Sequence, residues 1–216
     1  MSPQRTIKSF IRRARHLGPT KQKIFEELWP RYGIESVPSF SSDNPVALEI
    51  GFGYGEHLFH WAATNEHRIF LGVEVHRPGI ANLLSLLADR PLNNLKIYQG
   101  DAVELLQRTG SGTFEEIAIL FPDPWPKRRH QKRRLIQESF IKLLHEKIVH
   151  GGILRIATDW GDYAEHITAL FDGSGFFRSI ENETMDNYAK RAVISRFEQR
   201  GLDENRRIFN LIYINR

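Results

Sequence analysis

Short apolar runs alternate with longer amphipathic stretches along this chain from Val46 onward. The runs cover 46–50, 69–73, 95–98, 117–121 and 153–157, and each has the length of a buried parallel strand. In the intervening stretches apolar residues recur at helical spacing. Short strands that alternate with helices are typical of parallel sheets with helical crossovers. The pattern therefore predicts an α/β fold with a doubly wound, Rossmann-like sheet and helices on both faces.

The last third of the chain adds one long helix and two strands to this prediction. Apolar residues at helical spacing over 131–149, followed by Gly151 and Gly152, predict a helix whose first turn carries several arginines. The runs 176–180 and 208–214 predict a closing pair of strands.

Composition and charge narrow the class of protein. The 216 residues are 41% hydrophobic and include no cysteine, so one core is expected and thiolate chemistry is excluded. No apolar run is long enough for a membrane span. Seven Lys or Arg precede the first acidic residue, Glu26. We therefore expect a basic, flexible arm over 1–23, a single domain over 24–216, and a cytoplasmic location.

A glycine-rich turn follows the first strand. Gly51, Gly53 and Gly55 separate that strand from a helical stretch, and such a turn lets the backbone and a helix N-terminus approach a nucleotide-like ligand. Glu49, two residues earlier, would repel the diphosphate of NAD but would favour a cation. We therefore expect the sulfonium cofactor S-adenosylmethionine.

Acidic residues also close the next two predicted strands. Glu74 and Asp101 lie where a doubly wound sheet borders its crevice. Glu74 could accept hydrogen bonds from both ribose hydroxyls, and Asp101 with Ala102 could meet the adenine amino group. Helix capping stays an open alternative, above all for Asp101, which directly precedes a helical stretch.

One further carboxylate stands between prolines. Asp123 lies between Pro122 and Pro124, which end the preceding strand and place the acid just beyond it. Six Lys or Arg follow within 127–134, a density that predicts binding to a polyphosphate chain, with a solvated face as the alternative.

Two histidines are candidate metal ligands by residue type. His57 and His60 share one predicted helix with no third ligand nearby in sequence. We therefore expect ordinary surface or capping roles and no metal site.

Four motifs give the chain a close resemblance to a known family. They are Leu-Glu-Ile-Gly-Phe-Gly at 48–53, Gly-Val-Glu-Val-His at 72–76, Phe-Pro-Asp-Pro-Trp at 121–125 and Ala-Thr-Asp-Trp at 157–160. With these motifs the chain resembles, over nearly its whole length, the bacterial tRNA (guanine-N7-)-methyltransferases. The resemblance implies a class I methyltransferase fold and transfer of a methyl group to N7 of a guanosine in the variable loop of tRNA.

The resemblance also implies roles for individual residues. Glu49, Glu74 and Asp101 would bind S-adenosylmethionine. Asp123 would contact the cofactor and be catalytic, and Lys127 and Asp159 would bind the RNA.

A late motif extends the resemblance and then departs from it. Ser195, Arg196, Phe197 and Glu198 correspond, with two conservative changes, to a substrate-binding Thr-Lys-Phe-Glu motif of the family. Core packing is the alternative role for Phe197. The following segment 202–210 lacks the family's usual His- and Gly-containing stretch. The resemblance therefore does not imply the family's C-terminal RNA contacts for this segment.

Other functions stay open at this point. A methyltransferase acting on another RNA or on a small molecule would also need the glycine turn, and a non-catalytic RNA-binding protein could keep the same fold. A monomer or a homodimer is expected.

Overall fold

A computed structural model describes residues 16–36, 45–180 and 196–216, apart from the side chain of Phe197. Most of the predicted basic arm, and Ser195, lie outside these ranges. A helix that begins at Pro19 packs on the helix Arg77–Asp89. Residues 19–23, which the prediction assigned to the arm, are therefore helical. The division into arm and domain otherwise stays a prediction.

Eight strands form one sheet in the described part of the chain. In sequence order they are β1 Gly33–Ile34, β2 Val46–Ile50, β3 Ile69–Glu74, β4 Leu95–Gln99, β5 Phe114–Leu120, β6 Ile148–Thr158, β7 Phe177–Ser179 and β8 Phe209–Asn215. Their order across the sheet is β1-β4-β3-β2-β5-β6-β8-β7. The neighbours from β1 to β6 are parallel, whereas β8 runs antiparallel to both β6 and β7. The doubly wound prediction is confirmed.

Helices cover both faces of the sheet. They are α1 Pro19–Tyr32, α2 Glu56–Thr64, α3 Arg77–Asp89, α4 Ala102–Arg108, α5 Glu138–Lys147, α6 Gly161–Ser174 and α7 Arg196–Asp203. Buried residues of α1, α2 and α3 pack on one face in a first apolar core, and those of α4, α5 and α6 pack on the other face in a second. No helix in the described ranges is long and apolar enough to cross a membrane.

The long helix predicted over 131–149 is wrong at both ends. Residues Arg128–Arg133 form a separate 3-10 turn, and α5 begins only at Glu138. Arg134 breaks the helical path with a backbone ψ of 135°, and its side chain is drawn into the interior. Gly151 and Gly152 lie inside β6, where a Cβ on Gly152 would come within 2.9 Å of the Glu115 carbonyl oxygen. Gly152 therefore permits close pairing with β5, and neither glycine ends a helix.

Candidate active site

The crevice of the sheet lies where the strand order reverses. β2 pairs with both β3 and β5, so the connections that follow β2 and β5 leave in opposite directions and open a cleft at the carboxyl ends of these strands. The cleft is lined by Glu49, Gly51, Phe52, Gly53, Tyr54, Glu56, His57, Leu120 and Arg196.

The glycine turn after β2 forms the floor of this cleft. Gly51, Gly53 and Gly55 have φ values of 71°, 58° and 82°, which glycine adopts without strain. A Cβ on Gly51 would enter open space, whereas a Cβ on Gly79 of α3 would lie 2.0 Å from the Gly53 carbonyl oxygen. The turn is therefore packed tightly against α3 on one side and open to a ligand on the other.

Glu74 holds the glycine turn in place. Its Oε2 accepts a hydrogen bond of 2.8 Å from the Gly53 amide, and its Oε1 accepts from the amides of Val75 and His76 at 2.8 and 2.9 Å. A carboxylate offers about four acceptor positions, so one remains for a ligand. Glu74 thus supports the turn and keeps the capacity to bind a hydroxyl group.

Glu49 is paired with a histidine inside the cleft. The acid is 2% exposed, and its Oε2 lies 2.7 Å from Nδ1 of His57. The surface or capping role expected for His57 is wrong, because its side chain is only 12% exposed and lines the cleft. The pair keeps a buried carboxylate hydrogen-bonded, as its burial requires. The signal in the sequence was the position of His57 in the first turn after the glycines.

Asp101 is a helix cap. Its Oδ1 accepts hydrogen bonds from the amides of Val103 and Glu104 at 2.8 and 3.3 Å, at the start of α4. The capping alternative is therefore confirmed. Contact of Asp101 and the buried Ala102 with an adenine stays a prediction.

Asp123 lies just beyond β5, as predicted, with its side chain exposed. The residues two before it and two after it, Phe121 and Trp125, have φ values of 53° and 44°. Bulky residues adopt such values only where the surroundings impose them, and such strain collects at functional sites. The loop that presents Asp123 is therefore held in a costly conformation.

The basic segment after this loop divides into exposed and buried cations. Four side chains form an exposed group, called here the basic surface: Lys127, Arg128, Arg129 and Lys132. Arg133 is half-buried, with its guanidinium 5.1 Å from the centre of the Trp125 ring. Arg134 is only 1% exposed, so the expectation that all six cations face a polyphosphate is wrong for this residue.

His130 lies within the same segment and next to Trp125. Partial desolvation, followed by the positive charges of Arg133 and Arg129, lowers the pKa of His130 from its ordinary 6.5. This shift favours the neutral imidazole, so His130 adds little charge to the basic surface.

Arg196 lines the rim of the cleft, with its side chain still largely exposed. Its Nε is 2.8 Å from Oε1 of Glu56, and its guanidinium lies 4.6 Å from the centre of the Tyr54 ring. Of the other residues in its motif, Glu198 is buried on α7, whereas Ser195 and the side chain of Phe197 lie outside the described structure. The first turn of α7 thus reaches the glycine turn.

Asp159, at the end of β6, is paired with an arginine that sequence reasoning missed. Arg206 places its Nε 3.1 Å from Oδ2 of Asp159. Arg206 belongs to the divergent segment 202–210, and no local pattern in the sequence connected it to β6. The prediction for this segment named a departure from the family but not the residue that contacts Asp159.

Within the part of the chain that the structure describes, no cluster of three or more His, Cys, Asp or Glu side chains is arranged to hold a metal ion.

Comparison with known sequences gives consistent matches over nearly the whole chain. A sequence model of the family described as "Putative methyltransferase" matches residues 43–211. The tRNA (guanine-N(7)-)-methyltransferase of Nitrosococcus oceani is 43% identical over 215 residues, with 96% of this chain and 90% of that protein covered. The enzyme of the same name from Alkalilimnicola ehrlichii is 38% identical over 223 residues, with 99% and 94% covered.

Solved structures share the fold at low sequence identity. A SAM dependent methyltransferase from Aquifex aeolicus has a TM-score of 0.53 and 11% identity, with 91% of this chain and 89% of that chain covered. Phosphoethanolamine N-methyltransferase 2 of Haemonchus contortus, in complex with S-adenosyl-L-methionine, has a TM-score of 0.52 and 13% identity, with 91% and 52% covered. These similarities support the Rossmann-like methyltransferase fold.

Proposed function

Because the chain belongs to the tRNA (guanine-N(7)-)-methyltransferase family, we propose that it methylates a guanosine in the variable loop of tRNA and that Asp123 is its catalytic residue. The enzyme uses S-adenosylmethionine and modifies N7 of a tRNA guanine, giving 7-methylguanosine. The observation that carries the proposal for Asp123 is its position on a strained loop, just beyond β5 and next to the basic surface.

The residues of the cleft fit S-adenosylmethionine. Glu49 supplies a buried negative charge beside the glycine turn, suited to a cofactor that carries a sulfonium and an ammonium group. Glu74 retains an acceptor position for a ribose hydroxyl, and Gly51 leaves space where a side chain would protrude. Asp101 and Ala102, at the end of the next strand, would contact the adenine. When bound, the cofactor supplies a methyl group activated by positive sulfur.

In this reaction the protein mainly has to orient the guanine and the methyl group and to stabilise the charge that develops on the purine. Guanine N7 carries a free lone pair, so no base is needed to deprotonate it, and orientation alone can contribute about 7–11 kcal/mol in well-ordered reactions. The purine gains positive charge as the methyl group arrives. The carboxylate of Asp123 would stabilise that charge and accept hydrogen bonds from guanine N1–H and the N2 amino group. Contact between Asp123 and the cofactor also stays a prediction.

The RNA would bind across the carboxyl edge of β5 and β6. Lys127 and the rest of the basic surface would contact phosphates, and Asp159 would share recognition of the guanine. Within the late motif we propose substrate contacts for Ser195, Arg196, Phe197 and Glu198. The cytoplasmic location and the choice between monomer and homodimer stay predictions.

Two tRNA transcripts test the proposed position directly. They differ only in having or lacking the variable-loop guanosine, and each is incubated with full-length protein and S-adenosylmethionine before digestion and mass spectrometry of the nucleosides. We expect 7-methylguanosine from the first transcript only. Equal methylation of both would overturn the variable-loop assignment, and cofactor binding without methylation of either would point to another RNA.

A further inference from the structure

Arg134 is a buried cation in a segment whose other charges mostly face solvent. It is 1% exposed and makes three different contacts. Its Nε donates a hydrogen bond of 2.9 Å to the Pro124 carbonyl oxygen, one of its terminal nitrogens forms an ion pair with Asp162, and its guanidinium lies 4.7 Å from the centre of the Tyr163 ring. A side chain so enclosed is unavailable to an RNA phosphate.

The first of these contacts fixes the loop that carries Asp123. Proline residues offer no N–H group, so the Pro-rich loop from Pro122 to Pro126 has few ways to hold itself in place through its own backbone. Phe121 and Trp125, on either side of Asp123, adopt strained φ values, and such values persist only where surrounding contacts enforce them. Arg134 supplies a contact of this kind at Pro124, directly beside Asp123.

The other two contacts tie the same guanidinium to α6. Asp162 lies in the first turn of that helix, three residues after Asp159. Tyr163 is buried, and its hydroxyl accepts a hydrogen bond of 3.3 Å from the Ile136 amide. Burial raises the pKa of Tyr163 to about 12, so the ring under the guanidinium is neutral. Arg134 therefore connects the loop after β5 to the helix that follows β6.

Only an arginine can make all three contacts at once. The planar guanidinium donates in two directions and stacks on an aromatic ring, whereas the ammonium of lysine is a compact point charge. A buried ion pair is in general a poor source of stability compared with apolar packing. The arrangement is thus better explained by a need for geometry than by a need for stability.

We propose that Arg134 is a positioning residue for methyl transfer: it fixes the Pro124 carbonyl against α6 and so holds Asp123 in its reactive position. This inference rests on the proposed role of Asp123. Under this proposal the exposed cations of the basic segment bind RNA, whereas Arg134 orders the carboxylate of Asp123. A misplacement of about 1 Å at a reacting group can cost about 100-fold in rate, so the effect of losing this contact should be measurable.

The test uses full-length protein and the guanosine-bearing transcript. For Arg134→Lys, we expect a single-turnover rate about 10- to 100-fold below wild type, with dissociation constants for S-adenosylmethionine and tRNA within about two-fold. Arg90→Lys, at an exposed arginine beyond the end of α3, is the matched control. It should change neither the single-turnover rate nor the affinity for tRNA.

A second variant distinguishes positioning from stability. In Arg134→Ala, millimolar methylguanidinium should restore part of the single-turnover rate, and methylammonium should not. Should Arg134→Ala fail to fold, Asp162→Asn, whose side chain is 57% exposed, removes one anchor of the same guanidinium and should lower the rate with unchanged tRNA affinity.

Two results would overturn the inference: weakened tRNA binding with a normal rate at saturation, or a rate loss that matches the fraction of protein unable to bind cofactor. Wild-type protein is assayed first, so a failure of the proposed function itself would appear before any variant is compared.

Discussion

Nε of Arg206 lies 3.1 Å from Oδ2 of Asp159, across the junction between β6 and the segment after α7. Gly201 allows this approach, because a Cβ there would come within 3.2 Å of the same carboxylate oxygen. Asp159 is 17% exposed in its side chain and Arg206 is 30% exposed. The divergent segment of this chain therefore holds the acid proposed to recognise the guanine.

Replacement of Arg206 should affect the RNA substrate and leave the cofactor alone. In Arg206→Ala, the Asp159 carboxylate loses its ion-pair partner, so we expect the KM for tRNA to rise about 2- to 5-fold, as for loss of a partly exposed ion pair. The Kd for S-adenosylmethionine should not change. Arg207→Ala, the exposed neighbour that lies over Phe209, is the control. A fall in KM would show that Arg206 competes with guanine for Asp159.

Asp123 should be required for chemistry and dispensable for cofactor binding. Asp123→Ala removes the carboxylate that stabilises the developing positive charge on the purine, and loss of one such group typically costs about 100- to 1,000-fold in kcat. Because Asp123 is exposed, the fold should be unaffected. Isothermal titration with S-adenosylmethionine beside single-turnover kinetics measures both effects. Near-native turnover would remove Asp123 from the mechanism.

The charge of Glu49 should attract the cofactor. Glu49→Gln keeps the shape of the side chain but removes its charge, so we expect the Kd for S-adenosylmethionine to rise at least about 10-fold. His60→Ala, one turn beyond His57 on α2, is the control and should have little effect. Tighter binding in His57→Ala would indicate that the histidine competes with the cofactor for Glu49.

Arg196 should influence cofactor binding as well as the substrate. Its side chain is 63% exposed but lies over Tyr54 and pairs with Glu56 at the cleft, so Arg196→Ala should weaken S-adenosylmethionine binding modestly, by about 3- to 10-fold. Arg200→Ala, one turn later on α7 and paired with Glu204, provides the comparison. Weaker tRNA binding with unchanged cofactor affinity would show that Arg196 contacts the substrate and not the cofactor.

The basic surface should determine the salt dependence of RNA binding. Loss of one phosphate contact lowers the slope of log affinity against log salt by about 0.7 to 0.9, and we expect this change for Arg129→Ala in fluorescence anisotropy with tRNA. Arg90→Ala, exposed at the far end of α3, should leave the slope intact. Equal slopes for Arg129→Ala and wild type would exclude Arg129 from the phosphate contacts.

Local signals in the sequence were enough to predict the sheet and the cofactor side of the site. The apolar run of β2 matches its observed bounds, and the glycine turn and the acids at strand ends depend on residues close together in the chain. The errors arose where distant contacts decide the local structure. Periodicity over 131–149 could not show that Arg134 turns inward to meet Pro124 and Asp162.

The same limit explains the residues that sequence reasoning missed or misread. His57 and Arg206 acquire their roles from partners 8 and 47 positions away, and a lone histidine or arginine carries no sign of its partner. Asp101 showed both of its possible roles in the sequence, and the structure adds the capping hydrogen bonds. Burial is what distinguishes Arg134 from the exposed cations beside it, and a run of like charges does not reveal burial.

The reversal of strand order at β2 also divides the residues assigned to the cofactor from those assigned to the RNA along the sequence. Residues assigned to the cofactor come mostly from 49–102, before β5, whereas those assigned to the RNA come from 123 onward. Apart from Asp123 and Arg196, residues in the second half can therefore change the proposed RNA contacts without altering the cofactor pocket. The segment 202–210 supplies Arg206, the neighbour of Asp159, and lies far along the chain from the glycine turn.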